Sequence, residues 1–235
     1  MNKKMEGLVE QPIERLQKIE AVYTRPDGKQ ETIEFDFEKE LTNFSDFYKK
    51  TGIELPSDFE DSMRDIWNRN QEQIQNEVGN KGFNEILLIP ENISLTELKE
   101  KMSVGNGYFE HRNFENNGSF DKVISPTKNN RIVLTYNTKE LTDRPELNST
   151  LDTKEQDVNI SKALSLEDYL ILYKKIFEET GEHIDVEKSS WTSTKLDTRL
   201  VHVRCFSIEN KLDIDADGFG YHDPDMGTRT SSSFK

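Results

Sequence analysis

The C-terminal part of the chain limits the possible folds most strongly, because one helical pattern there is followed only by short strand patterns. Ser165 suits an N-cap and Gly181 suits the C′ position, so a well-defined helix is predicted between them. Strand-like segments follow at 198–206, 212–216 and 228–234, separated by turns. This combination predicts an α+β fold whose C-terminal part is β-rich and carries one long packed helix.

The N-terminal part begins with a predicted hairpin and continues as helices. Segments 19–24 and 31–35 flank Arg25-Pro-Asp-Gly28, in which proline and glycine favour a turn. Apolar residues at helical spacing predict a helix over 37–50. Ser57 to Glu60 has the spacing of a capping box, which predicts the start of a second, longer helix.

The middle of the chain contains fewer regular patterns. The apolar run 85–89 predicts a strand that Pro90 ends, and Ser94 to Glu97 repeats the capping-box spacing before a short helix. Segment 131–136 is β-branched and aromatic and predicts another strand. Segment 103–130 is rich in Gly, Asn and Ser, which indicates a long loop.

These patterns divide the chain into four parts. We expect a flexible leader over 1–18, a mixed helical N-terminal α+β part over 19–105, long loops with one strand over 106–160, and a C-terminal helix with a β unit over 161–235. A chain of 235 residues with 33% hydrophobic content can bury one good core or two small ones. We expect two lobes.

The charge balance argues against nucleic acid as a partner. Asp and Glu number 45 against 31 Lys and Arg, which gives a formal net charge of −14. A protein that binds a duplex gains most of its affinity by neutralising phosphates, so this field would oppose the complex. The acidity either keeps the surface solvated or makes the protein an acidic inhibitor that mimics nucleic acid and binds a basic surface.

The single cysteine, Cys205, excludes an intramolecular disulfide framework and lies in an alternating segment. We expect it to be packed as a small hydrophobe, with His202 on the opposite face of the strand. No window approaches the ~20 apolar residues that span a bilayer. The sequence therefore predicts a cytoplasmic protein without a membrane partner.

Four segments carry a resemblance to a known family: 85–99, 131–135, 164–172 and the terminal Gly227-x-Arg-x-Ser-x-Ser-Phe. Together they resemble a family of uncharacterised proteins from uncultivated bacteria with reduced genomes, over roughly residues 80–235. The resemblance implies kinship but carries no activity, cofactor or catalytic residue. The Gly-x-Arg ending is also similar to the last strands of C-type-lectin-like folds, although the cysteine pairs and the sugar-binding Glu-Pro-Asn or Gln-Pro-Asp motifs of lectins are missing.

An acidic segment near the C-terminus is a candidate calcium loop. Asp213, Asp215 and Asp217 occupy its first, third and fifth places, and Gly218 occupies the sixth. The twelfth place, where an EF-hand needs a bidentate carboxylate, is Pro224. The alternative is a strand whose aspartates face water and which ends in an Asp-Gly turn.

A second candidate metal site overlaps the first. His222 lies among Asp217, Asp223 and Asp225, and one imidazole with two or three carboxylates can hold a transition metal. A metal-dependent enzyme that uses this cluster is one alternative function. The other interpretation of His222 is an exposed histidine in a turn.

Trp191, Arg199 and Arg229 form a candidate ligand-binding surface. A tryptophan near arginines on neighbouring strands suits anions, sugars or peptides through stacking and forked hydrogen bonds. Alternatively, Arg229 pairs with Asp215 or Asp225 and holds the C-terminal β unit together. The two interpretations of Arg229 stay open at this point.

The sequence contains no P-loop, Rossmann glycine pattern or nucleophile elbow, and no catalytic residue is assigned. We therefore expect a non-enzymatic module that binds a protein or small ligand through its C-terminal β unit. No cofactor is predicted, with Ca²⁺ as the alternative if the acidic loop binds an ion.

Overall fold

The computed structural model describes residues 17–101, 109–110, 123–124, 129–139, 162–186, 188–206, 211–218 and 226–235. The helices are α1 (Phe37–Thr51), α2 (Phe59–Lys81), α3 (Leu95–Lys101) and α4 (Leu166–Thr180). The strands are β1 (Lys18–Thr24), β2 (Gln30–Asp36), β3 (Glu85–Ile89), β4 (Phe109–Glu110), β5 (Val123–Ile124), β6 (Arg131–Thr135), β7 (Ser189–Leu196), β8 (Arg199–Phe206), β9 (Lys211–Gly218), β10 (Met226–Thr228) and β11 (Ser232–Phe234). The α+β fold class is confirmed.

The predicted hairpin is confirmed as the antiparallel pair β1–β2, in which Thr24 lies opposite Gln30. The Gly28 N–H donates to the Arg25 carbonyl over 2.9 Å, and Gly28 has a φ of 81°. Glycine adopts this conformation without a steric penalty, which explains the position of the turn. The inner face of the hairpin packs on α2.

Helix α1 begins and ends where its local signals indicate, but the start of α2 differs from the prediction. Asp36 caps α1, and Gly52 ends it with a φ of 74°. The expected capping box beginning at Ser57 is wrong, because α2 starts at Phe59 with Asp58 at the N-cap and no side-chain capping bond. Gly82 ends α2 with a φ of 71°, and the N-cap lies one residue after the predicted one.

A central three-stranded sheet has the order β11-β6-β3 and is antiparallel throughout. Every residue of β3 and β6 is buried. Successive side chains point to opposite faces of a strand, so complete burial means that both faces are covered. Helices α1 and α2 contact this sheet, and α4 contacts it as well.

Helix α4 lies between two sheets, since it contacts both β3 and β7. The predicted caps are confirmed: the Ser165 hydroxyl accepts from the Asp168 N–H, and Gly181 ends the helix with a φ of 73°. Nearly every residue from Leu166 to Ile176 is buried, including charged ones. A helix buried on all sides must pair its charges internally.

Two buried ion pairs meet that requirement. Lys175 Nζ lies 2.7 Å from Glu85 Oε1, and Arg131 Nη2 lies 2.5 Å from Asp168 Oδ1. One pair joins α4 to β3 and the other joins it to β6. The two pairs therefore fasten the helix to the central sheet at two separate points.

The larger sheet has the order β10-β7-β8-β9-β4, with β5 also paired to β7. The expected strand over 228–234 is two strands, because β10 pairs with β7 of this sheet whereas β11 pairs with β6 of the central sheet. Residues 229–231 connect the two sheets. The C-terminus therefore links both halves of the fold.

One buried apolar cluster extends from Ile19 to Phe234 and includes residues of both predicted lobes. The boundary expected near residue 105 stays a prediction. No helix in the described part of the chain is long and apolar enough to cross a membrane.

Candidate functional site

Arg229 lies in the connection between the two sheets and is completely buried. Its Nε and Nη2 donate to the two oxygens of Asp185 over 2.9 and 2.6 Å. Nη1 and Nη2 also donate to backbone carbonyls, those of Tyr136, Thr138 and Lys139. Every nitrogen of the guanidinium is thus bonded inside the protein, which supports the internal interpretation of this residue.

The described ion pair of Arg229 is with Asp185, whereas the sequence suggested Asp215 or Asp225, of which Asp225 lies outside the described residues. Asp185 is fully buried and has a φ of 55°, a conformation that aspartate tolerates better than most residues. Its carboxylate also accepts from Tyr169 over 3.0 Å and from Ser190 over 2.5 Å.

The backbone of Asp185 is bonded as well. Its N–H donates to the Lys139 carbonyl over 2.9 Å, and its carbonyl accepts from the Cys205 N–H over 3.2 Å. We call Arg229, Asp185, Tyr169 and Ser190 the buried clip. Its hydrogen bonds join α4, β7 and the connection between the two sheets.

Trp191 belongs to a row of four side chains that runs across the large sheet. Thr228 on β10, Trp191 on β7, His202 on β8 and Asp215 on β9 are successive register partners. Register partners point to the same face, about 4.8 Å apart from strand to strand. We call these four residues the cross-strand row, and the face that carries them the outer face.

The outer face is opposite the main core. Val201, Val203, Cys205 and Ile214 alternate with the residues of the row and belong to the main core cluster. The predicted orientation of Cys205 and His202 to opposite faces is confirmed. Trp191, Leu200 and Met226 form a second, separate apolar cluster on the outer face.

Arg199 does not join the outer face. It has the same parity in β8 as Val201 and Val203, whereas Trp191 lies on the opposite face of the sheet. With Arg229 in the buried clip, the three residues of the predicted ligand surface lie in three different environments. Trp191 is the one that belongs to the cross-strand row.

The acidic segment is a strand rather than a loop. Leu212, Ile214 and Ala216 are buried, and the aspartate that follows each of them is half-buried on the outer face. Asp213, Asp215 and Asp217 therefore follow one another at every second residue, about 6.6 Å apart along the strand.

Within the described ranges, no group of three His, Cys, Asp or Glu residues is placed to hold a metal ion. His222, Asp223 and Asp225 lie outside the described residues. The calcium and transition-metal sites that include them stay predictions.

His202 is the polar centre of the outer face. Its Nε2 lies 3.0 Å from Asp217 Oδ2, and its ring packs edge-on against Trp191 with the centroids 5.1 Å apart. The residue is 8% exposed, and its Nδ1 has no hydrogen-bond partner among the described atoms. The hydroxyl of Thr228, at the other side of Trp191, is likewise buried and unpartnered in the described structure.

An unsatisfied buried polar group costs about 1–3 kcal/mol, and Arg131 Nε in the described core is a further atom of this kind. Native proteins pair nearly all such groups, so each exception calls for an explanation. Trp191, Asp215 and Asp217 are site residues predicted from the sequence, whereas His202 and Thr228 were not predicted. The alternation in 200–206 could have placed His202 on the polar face, but nothing in the sequence shows that β10 brings Thr228 beside Trp191.

A third group of polar side chains surrounds Cys205. The Tyr173 hydroxyl lies 2.7 Å from His183 Nδ1 and 3.6 Å from Cys205 Sγ. Burial raises the pKa of Tyr173, and the neighbouring Cys205 raises it further. The cysteine is fully buried, as the sequence predicted for a packed residue.

Comparison with protein-family models, with curated proteins and with solved structures gave no match.

Proposed function

We propose that the protein is a non-enzymatic binding module and that its ligand binds on the outer face of the large sheet. The observation that carries the proposal is the pair of unpartnered polar atoms in the cross-strand row, His202 Nδ1 and Thr228 Oγ1. Both are buried and both lie next to Trp191. A ligand that bonds to them would remove the cost of leaving them unsatisfied.

The bond between His202 and Asp217 defines what the ligand must offer. Asp217 accepts at Oδ2, so a neutral imidazole carries its proton on Nε2 and presents Nδ1 as an acceptor. The Thr228 hydroxyl can both donate and accept. A polypeptide segment supplies such groups at short intervals, which favours a protein partner over a purely apolar small molecule.

Trp191, Leu200 and Met226 form an apolar cluster on the same face as the two unpartnered polar atoms. These three side chains are 5%, 3% and 5% exposed, so they act by fixing neighbouring groups. The edge-on packing of Trp191 against His202 holds the imidazole in one orientation. A binding group that is already ordered loses little entropy when the ligand arrives.

The experiment is to pan a library of random displayed peptides against the immobilised full-length chain and to measure the affinity of the enriched peptides. We expect them to bind at least about tenfold more weakly to His202→Phe and to Thr228→Val. Thr32→Val is the matched control, because Thr32 is exposed on the hairpin. Equal affinity for wild type and both row variants, or no enrichment, would overturn the proposal.

A spectroscopic readout locates the bound peptide. In protein labelled with fluorotryptophan, the ¹⁹F resonance of Trp191 should shift on addition of peptide. Trp67 is buried in α2 and stacks on Phe37 with a centroid distance of 4.6 Å, so its resonance should not move. A shift of Trp67 alone would place the peptide elsewhere and count against the proposal.

A further inference from the structure

Strand β2 lies at the edge of the hairpin, and β1 is the one described strand that pairs with it. At the turn, the Arg25 N–H donates to the Lys29 carbonyl over 2.8 Å. Along an antiparallel pair, residues that bond across the strands alternate with residues whose backbone groups point away. The N–H and C=O groups of Thr32 and Glu34 therefore point away from β1.

The side of β2 that carries these groups is open. Thr32 and Glu34 are exposed, and no other described residue bonds to their outward N–H and C=O groups. The opposite side of the hairpin differs, because Gln75 of α2 donates to the outward Glu20 carbonyl over 3.1 Å. An exposed strand edge accepts a strand from another chain, so β2 rather than β1 offers the place for one.

The two faces of β2 define the side chains that an added strand should carry. Ile33 and Phe35 are buried on the face toward the core, whereas Thr32 and Glu34 lie on the exposed face of the hairpin. Paired strands share the two faces of their sheet, so alternate residues of an added strand continue each face. Apolar residues suit the positions beside Ile33 and Phe35.

The exposed face of the hairpin carries two carboxylates side by side. Glu20 on β1 and Glu34 on β2 are direct register partners. They form a pair without hydrogen bonds between them, in which the two Cα atoms are only about 4.5 Å apart. Neither carboxylate pairs with a cation among the described residues. Like charges in this position destabilise a hairpin, so a cation from a partner would remove an unfavourable interaction.

A cavity of about 380 Å³ opens beside this carboxylate pair. Lys18 in its wall is neutralised by Asp36, whose carboxylate lies 3.0 Å away. The wall contains four carboxylates and two lysines and is therefore acidic overall; these residues are Glu20, Glu34, Asp36, Glu40, Lys18 and Lys39. The cavity can admit a lysine or arginine side chain next to Glu20 and Glu34.

We propose that an extended segment of another protein, in which basic and apolar residues alternate, adds as a strand to β2 and places a lysine or arginine side chain beside Glu20 and Glu34. Its apolar residues continue the face of Ile33 and Phe35, and its backbone pairs with the outward groups of β2. A second copy of the chain does not fit, because β2 has three acidic residues and no basic one, so self-pairing would bring like charges together. The site is separate from the outer face of the large sheet and does not depend on the proposed function.

The test is fluorescence anisotropy of a short labelled peptide of alternating lysine and valine, titrated with the full-length protein. Thr32→Pro removes an outward N–H, and because this N–H does not bond to β1, the hairpin keeps its own hydrogen bonds. We expect this variant to bind the peptide at least about tenfold more weakly than wild type. Thr32→Val is the matched control, since it keeps the N–H and should bind as wild type does.

A second pair of variants tests the charges. Glu20→Gln and Glu34→Gln should each weaken binding by about twofold to fivefold, which is the effect of an exposed ion pair. Glu54→Gln is the matched control, because Glu54 is exposed between α1 and α2 and the substitution changes the charge by the same amount away from the hairpin. Binding to this control should equal that of wild type.

Two control peptides separate strand addition from simple charge attraction. A peptide of the same composition with its lysines in one block keeps the charge but loses the alternation. A peptide that is N-methylated on the residues facing β2 keeps the side chains but loses the backbone donors. We expect both to bind at least about tenfold more weakly than the alternating peptide.

Equal binding of all three peptides, or equal binding to wild type and Thr32→Pro, would overturn the inference. Binding that is lost in His202→Phe but kept in Thr32→Pro would place the peptide on the outer face of the large sheet, which also contradicts it. Sedimentation of the protein alone tests the remaining occupant. A dimer that Thr32→Pro dissociates would put a second copy at the β2 edge, and the basic partner would then be wrong.

Discussion

Thr228 and Arg229 are neighbours in the chain, yet the nitrogens of the Arg229 guanidinium are all hydrogen-bonded whereas the Thr228 hydroxyl has no described partner. Arg229 is fully buried, and each nitrogen of its guanidinium donates to Asp185 or to a backbone carbonyl. Thr228 is 3% exposed, and its hydroxyl bonds to no described atom. The peptide that joins them thus connects the buried clip to the cross-strand row.

This contrast separates a structural role from a binding role. A buried network whose members are all bonded orders the chain around it and has no capacity left for a ligand. A buried polar atom without a partner lowers stability and calls for an explanation, such as an ordered water or a ligand. Arg229, for which the sequence left a structural and a ligand role open, is therefore assigned to the scaffold, and its threonine neighbour belongs to the candidate site.

The largest expected effect comes from breaking the buried clip. Arg229→Met leaves the Asp185 carboxylate buried without its counter-ion, which typically costs about 3–5 kcal/mol. We expect the free energy of unfolding, measured by urea denaturation, to fall by that amount. Asp185→Asn should be less harmful in the Arg229→Met background than in the wild type, because the two substitutions remove the same interaction.

The control for this prediction is Arg199→Met. Arg199 is half-buried at the start of β8, and substitutions outside a buried network usually change stability by less than about 0.5 kcal/mol. If Arg229→Met were as stable as Arg199→Met, the clip would not be structural. The arginine would then be available for the ligand role that the sequence left open.

A second buried pair predicts a pH dependence of intermediate size. Burial raises the pKa of Glu85 from 4.5 to about 7, and the neighbouring Lys175 only partly opposes this. Because the folded pKa is the higher one, the contribution of Glu85 to stability is complete below pH 4.5 and is lost as the pH rises through 7. Glu85→Gln should remove this loss, so the free energy of unfolding of the variant should fall less than that of wild type as the pH rises across that window.

Glu179→Gln is the matched control for the pH experiment. Glu179 Oε1 lies 2.8 Å from the same Lys175 Nζ, but its side chain is 52% exposed. The free energy of unfolding of Glu179→Gln, measured by urea denaturation, should depend on pH as steeply as that of wild type. The free energy of unfolding of Glu85→Gln should depend on pH less steeply. If the free energies of unfolding of Glu85→Gln and wild type changed with pH in the same way, Glu85 would not titrate in this window.

The sequence predicted those parts of the fold that depend on local signals. The hairpin turn at Gly28 and the caps of α4 at Ser165 and Gly181 follow from the conformational preferences of single residues. The ionic contacts could not be predicted in this way. Arg229 and Asp185 are 44 positions apart, and Lys175 and Glu85 are 90 apart, so no periodicity relates them.

The candidate site was predicted only in part, for a related reason. Alternation in β9 indicated that Asp213 and Asp215 share a face, and the structure confirms it. The row itself depends on the order of strands in the sheet. Parallel pairing of β10 with β7 brings Thr228 beside Trp191, and a pattern within one strand cannot show which strand lies next to it.

The smallest expected effect compares two threonines of the same sheet. Thr228→Val removes a buried hydroxyl that has no described partner, so the free energy of unfolding should stay unchanged or rise by up to about 1 kcal/mol. Thr194 is fully buried on β7, and its Oγ1 accepts from the Leu166 N–H over 2.8 Å. Thr194→Val leaves that N–H unsatisfied and should cost about 1–3 kcal/mol.

Replacing threonine by valine should therefore change the free energy of unfolding differently at the two positions, and the two changes can have opposite signs. Since valine and threonine are both β-branched, the substitutions change the hydroxyl and largely keep the side-chain conformation. Equal destabilisation by both substitutions would mean that the Thr228 hydroxyl is bonded in the folded protein. It would then resemble Arg229 rather than contrast with it, and the cross-strand row would lose one of the two atoms that mark it as a binding site.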